Sequence, residues 1–168
     1  DRELTLQEYF RKYHRDKEAH NVDRDINKAL QAVNFSAPLD RVVKSFSGGQ
    51  QARLLLAAAI VQDPDILLLD EPTNNLDTAG IEHLTDFLKS YKNTVVVISH
   101  DAEFLNAFTD GVYYLDVFTQ KIETYMGNYH KVVADIAAQI EKENRANSRM
   151  EKEAIANKEQ ANVFAHKG

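Results

Sequence analysis

The sequence predicts an α/β fold: a parallel-sheet core, a helical segment ahead of it and one long helix behind it. Three observations carry this reading. Two short apolar runs, "ILLLD" (Ile66–Asp70) and "TVVVIS" (94–99), have the length of strands and lie between turn residues. A segment of helical period separates them and another follows, an order that implies parallel strands joined by right-handed crossovers. From residue 128 to about 166 there is no proline or glycine, and helix formers abound.

Taken in order, residues 1–44 are charged with mixed signs, as on solvated helix faces. Leu6, Tyr9, Phe10 and Tyr13 recur at helical spacing, as do Ile26, Leu30 and Val33, so two helices are expected, joined near 20–23. Pro38 interrupts the pattern before a short helix or turn over 39–46. Ser47, Gly48 and Gly49 open a helix that runs to about Gln62, where Asp63-Pro64-Asp65 ends it. Both apolar runs are expected to be strands buried on both faces. Between them Thr78 starts a helix with Ile81, Leu84, Leu88 and Tyr91 on one stripe. Asp101 caps a short helix to Phe108. Gly111 leads into "VYYLD", and "KIETY" alternates like an antiparallel edge strand. In the last segment Val133, Ile136 and Ile140 form a narrow stripe that turns polar at Asn144 and Asn147. There Glu141–Arg145 and Arg149–Glu153 have i,i+4 spacing, each pair contributing a few tenths of a kcal/mol.

Composition narrows the function. A chain 43% hydrophobic and 27% charged can bury a real core, and 168 residues make about one domain. A net charge of −6 argues against a whole-surface nucleic-acid binder. With no cysteine, disulfides and thiolate metal sites are excluded, and a reducing cytosol fits. The longest apolar run, 54–61, is too short to span a bilayer. The N-terminus has no signal-peptide pattern and does not begin with Met, so the chain reads as one cut from a longer protein or a processed one.

Four groupings carry chemistry. "ILLLDEP" ends a strand in adjacent carboxylates, at the sheet edge where α/β proteins bind ligands. Successive side chains diverge, so Asp70 suits Mg²⁺ and Glu71 suits orienting or deprotonating a water. "SGGQQ" places a hydroxyl and two glycines at a helix start, where free N–H groups and the helix dipole favour an anion. His100, after the second strand, lies at the same edge and can donate to a terminal phosphate oxygen. "TNNLD" (73–77) is a polar turn suited to holding Glu71 and His100 in register. Each grouping alone has a plainer reading: a strand ending in solvated acids, an ordinary N-cap, a neutral histidine bonded to backbone, a loop before a helix. Their order and spacing together favour a nucleotide site. Yet no phosphate loop of the form G-x-x-x-x-G-K-[ST] occurs in these residues.

In that order and spacing, "SGGQ", "ILLLDEP", "NNLD" and "SHD" resemble the signature, Walker B, D-loop and switch histidine of ABC ATPases, without a gap from about Phe46 to Asp101. "EPTNNLD", "SHDAEFLN" and "YMGNY" look like the ABC-F branch, which carries two ABC domains on one chain and no membrane domain. The resemblance implies a partial P-loop NTPase fold, with 1–46 as the ABC helical subdomain, 47–127 as the ATPase core without its Walker A loop, and 128–168 as the start of an interdomain linker. It implies ATP and Mg²⁺ as cofactors, with hydrolysis at an interface between two ABC domains. Ser47, Gly48, Gly49 and Gln50 then contact the nucleotide of the second ABC domain, and Asp77 touches that partner. Asp70 as metal ligand, with Glu71 and His100 as catalytic residues, serves the chain's own site. Many ABC-F proteins act in translation, in the cytoplasm, binding the ribosome with a linker that meets tRNA and rRNA. The phosphate loop, an adenine-stacking aromatic sheet and a Q-loop are missing from this stretch. Asn75 stands where histidine is common, and Phe46 where leucine is. This leaves the chain by itself without ATP hydrolysis as the expectation. Two alternatives stand beside this reading: an ATP-binding subunit of an ABC transporter, and a truncated module that only presents its signature surface.

The remaining residues have bland readings. His14, His20, His83, His130 and His166 are scattered and read as surface or packing residues. Tyr113, Tyr114, Tyr125 and Tyr129 read as core and edge packing. Any RNA contact of the last helix must use cations such as Lys142, Arg145, Arg149 and Lys152 against nearby acids.

Overall fold

Capping chemistry and apolar spacing set the elements. The computed structural model describes residues 3–15, 21–117 and 119–165, so His20 and His166 lie outside the described residues. The chain forms two units, Asp1–Thr109 and Asp110–Gly168.

In the first unit, helix α1 (Leu6–Tyr13) starts at Thr5. The Thr5 hydroxyl accepts from the Glu8 N–H while the Glu8 carboxylate accepts from the Thr5 N–H, a reciprocal cap that satisfies two orphan donors. Helix α2 (Val22–Ala32) buries Val22, Ile26, Ala29 and Leu30 against α1 and the later helices. After Pro38 the chain makes a single 3-10 turn, Val43–Ser45, where a short helix or turn was expected. Helix α3 (Gly48–Ile60) is capped by Ser47, and Asp63 leaves it with a left-handed φ of 44°. Strand β1 (Ile66–Asp70) follows, then helix α4 (Thr78–Ser90) capped by Asp77. Strand β2 (Thr94–Ile98) and helix α5 (Ala102–Phe108), capped by Asp101, complete the unit.

Strands β1 and β2 are parallel, with Leu67 opposite Val95, Leu69 opposite Val97 and Asp70 opposite Ile98. The strand–helix–strand order therefore forms as the sequence predicts. Burial on both faces does not. Leu67 and Leu69 are buried and join the helical core, with Val95 and Val97 packed beside them. On the other face Ile66, Leu68 and Ile98 are 60%, 70% and 63% exposed. The described helices of this unit pack on the face that carries Leu67 and Leu69 and leave the other face uncovered.

In the second unit β3 (Gly111–Asp116) and β4 (Lys121–Met126) pair antiparallel as a separate two-stranded sheet. Helix α6 (Tyr129–Ala165) begins where the Asn128 side chain accepts from the Lys131 N–H. Its Val132 is fully buried, while the described side chains from 137 to 158 are all exposed. The Tyr125 hydroxyl donates to Glu123 at 2.6 Å and lies 3.2 Å from the Gln139 amide oxygen, tying α6 to the hairpin. That hydrogen bond to Glu123, with some burial, pushes the phenol up to about 12. Tyr113, expected in packing, is 71% exposed beside Leu115 and Ile122, because α6 covers only the opposite face of the hairpin. Both i,i+4 ion pairs of α6 form as the spacing predicts. Among the described residues no helix is long and apolar enough to cross a membrane.

Candidate active site

Parallel pairing sets the geometry of the carboxylates. Since Asp70 lies opposite Ile98, the chain past each strand emerges on the same edge, bringing Glu71 beside His100. Asp70 ends β1 on the open face, and its side chain is exposed. Glu71 then leaves the strand with a φ of 45°, a left-handed conformation that costs roughly 1–2 kcal/mol for a residue with a Cβ. Two bonds hold it. The Glu71 N–H donates to the Ile98 carbonyl at 2.8 Å, extending the ladder by one residue. The His100 N–H donates to Glu71 Oε2 at 3.4 Å.

This turn brings the Glu71 carboxylate to His100, just past the end of β2. Its Oε1 is buried and has no hydrogen-bond partner among the described residues, though His100 Nε2 stands 3.4 Å away. A buried carboxylate oxygen without a donor is an acceptor awaiting one, and a water is the simplest donor that fits. The His100 ring is 98% exposed, so its other nitrogen faces outward. The structure thus brings Asp70, Glu71 and His100 to one edge. The 73–77 turn reaches Glu71 through the Asn74 N–H, which donates to the Glu71 carbonyl at 3.3 Å, and makes no hydrogen bond to His100.

The signature segment is built as a cap. Ser47 Oγ accepts from the Gln50 N–H at 3.3 Å, and Gln50 Oε1 accepts from the Ser47 N–H at 3.0 Å. The Gly48 and Gly49 N–H groups find no acceptor among the described residues. A Cβ built on either glycine meets nothing within 4 Å. Among the described residues nothing crowds a side chain here, although glycine costs up to about 1 kcal/mol against alanine in a helix. Two bare N–H groups at a helix start and open space above them suit a close-approaching anion.

Asp77 is engaged within its own chain. Its Oδ1 accepts from the Gly80 N–H at 2.8 Å, and its Oδ2 lies 3.6 Å from the Arg53 guanidinium. The Gly80 bond first, then Arg53 and a hydrogen bond from the Asn34 side chain, hold the carboxyl below its ordinary value. Arg53 was not singled out by sequence reasoning. The signal was present: it is the lone charge in the run "ARLLLAAAI", and a cation in an apolar run needs a partner.

For a metal, no group of three His, Asp or Glu converges among the described residues. Asp70 is one exposed carboxylate, and a Mg²⁺ that shares one carboxylate with phosphate oxygens needs no more from this stretch. The residues present fit that role, and the orphaned Glu71 oxygen is an acceptor that a water could fill.

Comparison with known proteins bears on the family of the chain. The family model for the ABC transporter matches residues 1–74. Over 140 residues the chain is 38% identical to ABC transporter F family member 5 of Arabidopsis thaliana, covering 83% of this chain and 20% of that protein. It is 44% identical over 101 residues to probable ATP-binding protein YheS of Escherichia coli strain K12, covering 60% of this chain and 16% of the relative. The chain thus spans a fifth or less of these two relatives. Among solved structures, the dimeric structure of a bacterial ABC transporter cassette aligns with a TM-score of 0.56 at 27% identity, over 68% of this chain and 53% of that one. A dimeric post-hydrolysis cassette bound to ADP and Pi shares the fold, with a TM-score of 0.56 over 75% of this chain and 58% of that one.

Proposed function

Because this chain is of the ABC ATPase family, with an F family member among its relatives, we propose that it serves ATP hydrolysis between two ABC domains of one longer protein. The observation that carries this reading is the meeting of Glu71 and His100 beside Asp70 at the carboxyl edge of β1 and β2.

The proposed roles follow from position. Asp70 would hold Mg²⁺, which would neutralise charge on the phosphates of ATP. Glu71 Oε1 accepts a hydrogen bond from the attacking water, orients it and draws its proton. His100, fixed through its own N–H on Glu71, presents its ring to a terminal phosphate oxygen. Ser47 and the Gly48 and Gly49 N–H groups receive the nucleotide of the second ABC domain, with Gln50 holding the cap in shape. Asp77 maintains the turn that faces that partner. Residues 1–46 act as the helical subdomain, 47–127 as the ATPase core and 128–168 as the start of a linker.

The proposal extends to the ribosome, in the cytoplasm, with the linker meeting rRNA or tRNA. The F family relative and the exposed 37-residue helix α6 support it. The solved cassettes come from transporters, which supports a second reading as a transporter subunit. Co-purification with a membrane-spanning partner rather than with ribosomes would decide for that one.

The test of the chemistry is Glu71→Gln in the full-length protein. The amide keeps the side chain's size but loses the base. ATP binding is expected to persist while turnover falls by about 10²–10⁴-fold. Hydrolysis at the wild-type rate would remove Glu71 from its role.

A further inference from the structure

The turn after β1 and the signature helix are separate in sequence, and one side chain joins them. Arg53 lies six residues beyond Ser47 on α3, and its side chain is 21% exposed. Its Nε donates to the Asn75 carbonyl at 2.9 Å. The other arm of its guanidinium lies 3.6 Å from Asp77 Oδ2. The same carboxylate caps α4 through Gly80, where a Cβ would come within 3.0 Å of Asp77 Oδ1. The bonds of the turn to itself are local: Asn74 N–H to the Glu71 carbonyl and Leu76 N–H to the Thr73 carbonyl. Among the described residues, Arg53 makes the only hydrogen bond or ion pair between α3 and this turn.

One end of the turn therefore hangs on Glu71 and the other on the signature helix. We propose that Arg53 is a positioning residue that fastens the 73–77 turn to the signature helix, so that docking of the signature on a nucleotide sets the backbone that carries Glu71. This rests on the ATPase reading above. A planar guanidinium is suited to the task because one edge serves a carbonyl and a carboxylate together, which an ammonium on a flexible stem does not. A displacement of α3 is then passed to the turn as a rigid link. The two elements belong to two different nucleotides in the proposed assembly, so the link makes occupancy of one felt at the base of the other.

The test uses the full-length protein and four variants: Arg53→Ala, Arg53→Lys, Asp77→Asn and the Arg53→Ala/Asp77→Asn pair. Asparagine keeps an N-cap on α4 while losing the charge that faces Arg53. For Arg53→Ala, kcat for ATP hydrolysis is expected to fall about tenfold or more, with KM within about twofold of wild type. Arg53→Lys, which keeps the charge but not the fork, is expected to recover less than half of that loss. The double variant is expected to be no slower than Arg53→Ala alone, since both changes cut one link. A rise in KM at unchanged kcat, full recovery by lysine, or multiplying losses in the double variant would overturn the proposal. So would unchanged kcat in both single Arg53 variants. A role in stability alone lowers the melting temperature without splitting kcat from KM. If Arg53→Ala does not fold, Arg53→Lys and Asp77→Asn carry the same comparison. Glu71→Gln separates the two readings: wild-type turnover there rejects the ATPase itself, whereas a dead Glu71→Gln beside an unimpaired Arg53→Ala and Arg53→Lys rejects only the link.

Discussion

At the scale of the residue, the proposed catalytic edge depends on a backbone that its own side chain disfavours. The left-handed φ of Glu71 aims the carboxylate at His100 rather than along the strand beside Asp70. The pair "DE" was legible as two acids at a strand end, and divergence follows from strand alternation. The left-handed turn was not legible, because it is held by the Ile98 carbonyl from a strand 27 residues later. The cap at Ser47 was legible as an N-cap, and the capping box with Gln50 is its fuller form. Gly48 offers a clean separation of folding from function. Nothing lies within 4 Å of an added Cβ. Gly48→Ala in the full-length protein is therefore expected to leave thermal stability equal or raised, by up to about 1 kcal/mol. ATPase activity is expected to drop, because in the proposed role the methyl would occupy the space that a phosphate enters. A loss of melting temperature alongside activity would show that the glycine serves the fold instead.

At the scale of the element, local signals did well and burial did not. The caps at Thr5, Ser47, Asp77 and Asp101 and the helical stripes place α1 to α5. Continuous apolar runs such as "ILLLD" say that a strand has two dry faces somewhere, but not which parts of the protein cover them. Among the described residues one face rests on helices and the other is uncovered. The contrast gives a prediction across one strand. Leu67→Ala, at a site 2% exposed, is expected to destabilise the chain by about 2–4 kcal/mol in urea unfolding. Leu68→Lys, at a site 70% exposed, is expected to shift stability by less than about 0.5 kcal/mol and to lower binding of a hydrophobic dye. Equal losses at the two sites would mean that the open face is covered in solution.

At the scale of the whole molecule, the order signature, Walker B, D-loop and histidine made the family legible, because its residues sit close in sequence and their spacing is fixed by one strand–helix–strand unit. What the spacing could not convey is the tie made by Arg53, whose partners lie 22 and 24 residues away. The site as drawn is one-sided: it has acids, a histidine and a signature, but these residues hold no phosphate loop. Calorimetric titration of this 168-residue chain with Mg·ATP is therefore expected to show no binding tighter than about 1 mM, where each factor of ten is about 1.4 kcal/mol. Sub-millimolar affinity would mean that the carboxylate edge and the signature capture nucleotide unaided.

The long final helix has a mechanical consequence. Its 37 residues make a rod about 55 Å long, anchored at its first turns by Val132 and by Tyr125 on Gln139. A rod held at one end is a lever. A tilt of about 5° at the anchor sweeps the far tip through about 5 Å, an arc comparable to a full helical turn. With its two anchors about 10 Å apart along the helix, a shift of about 1 Å between them is enough to produce that tilt, so the tip moves about five times as far as the anchor.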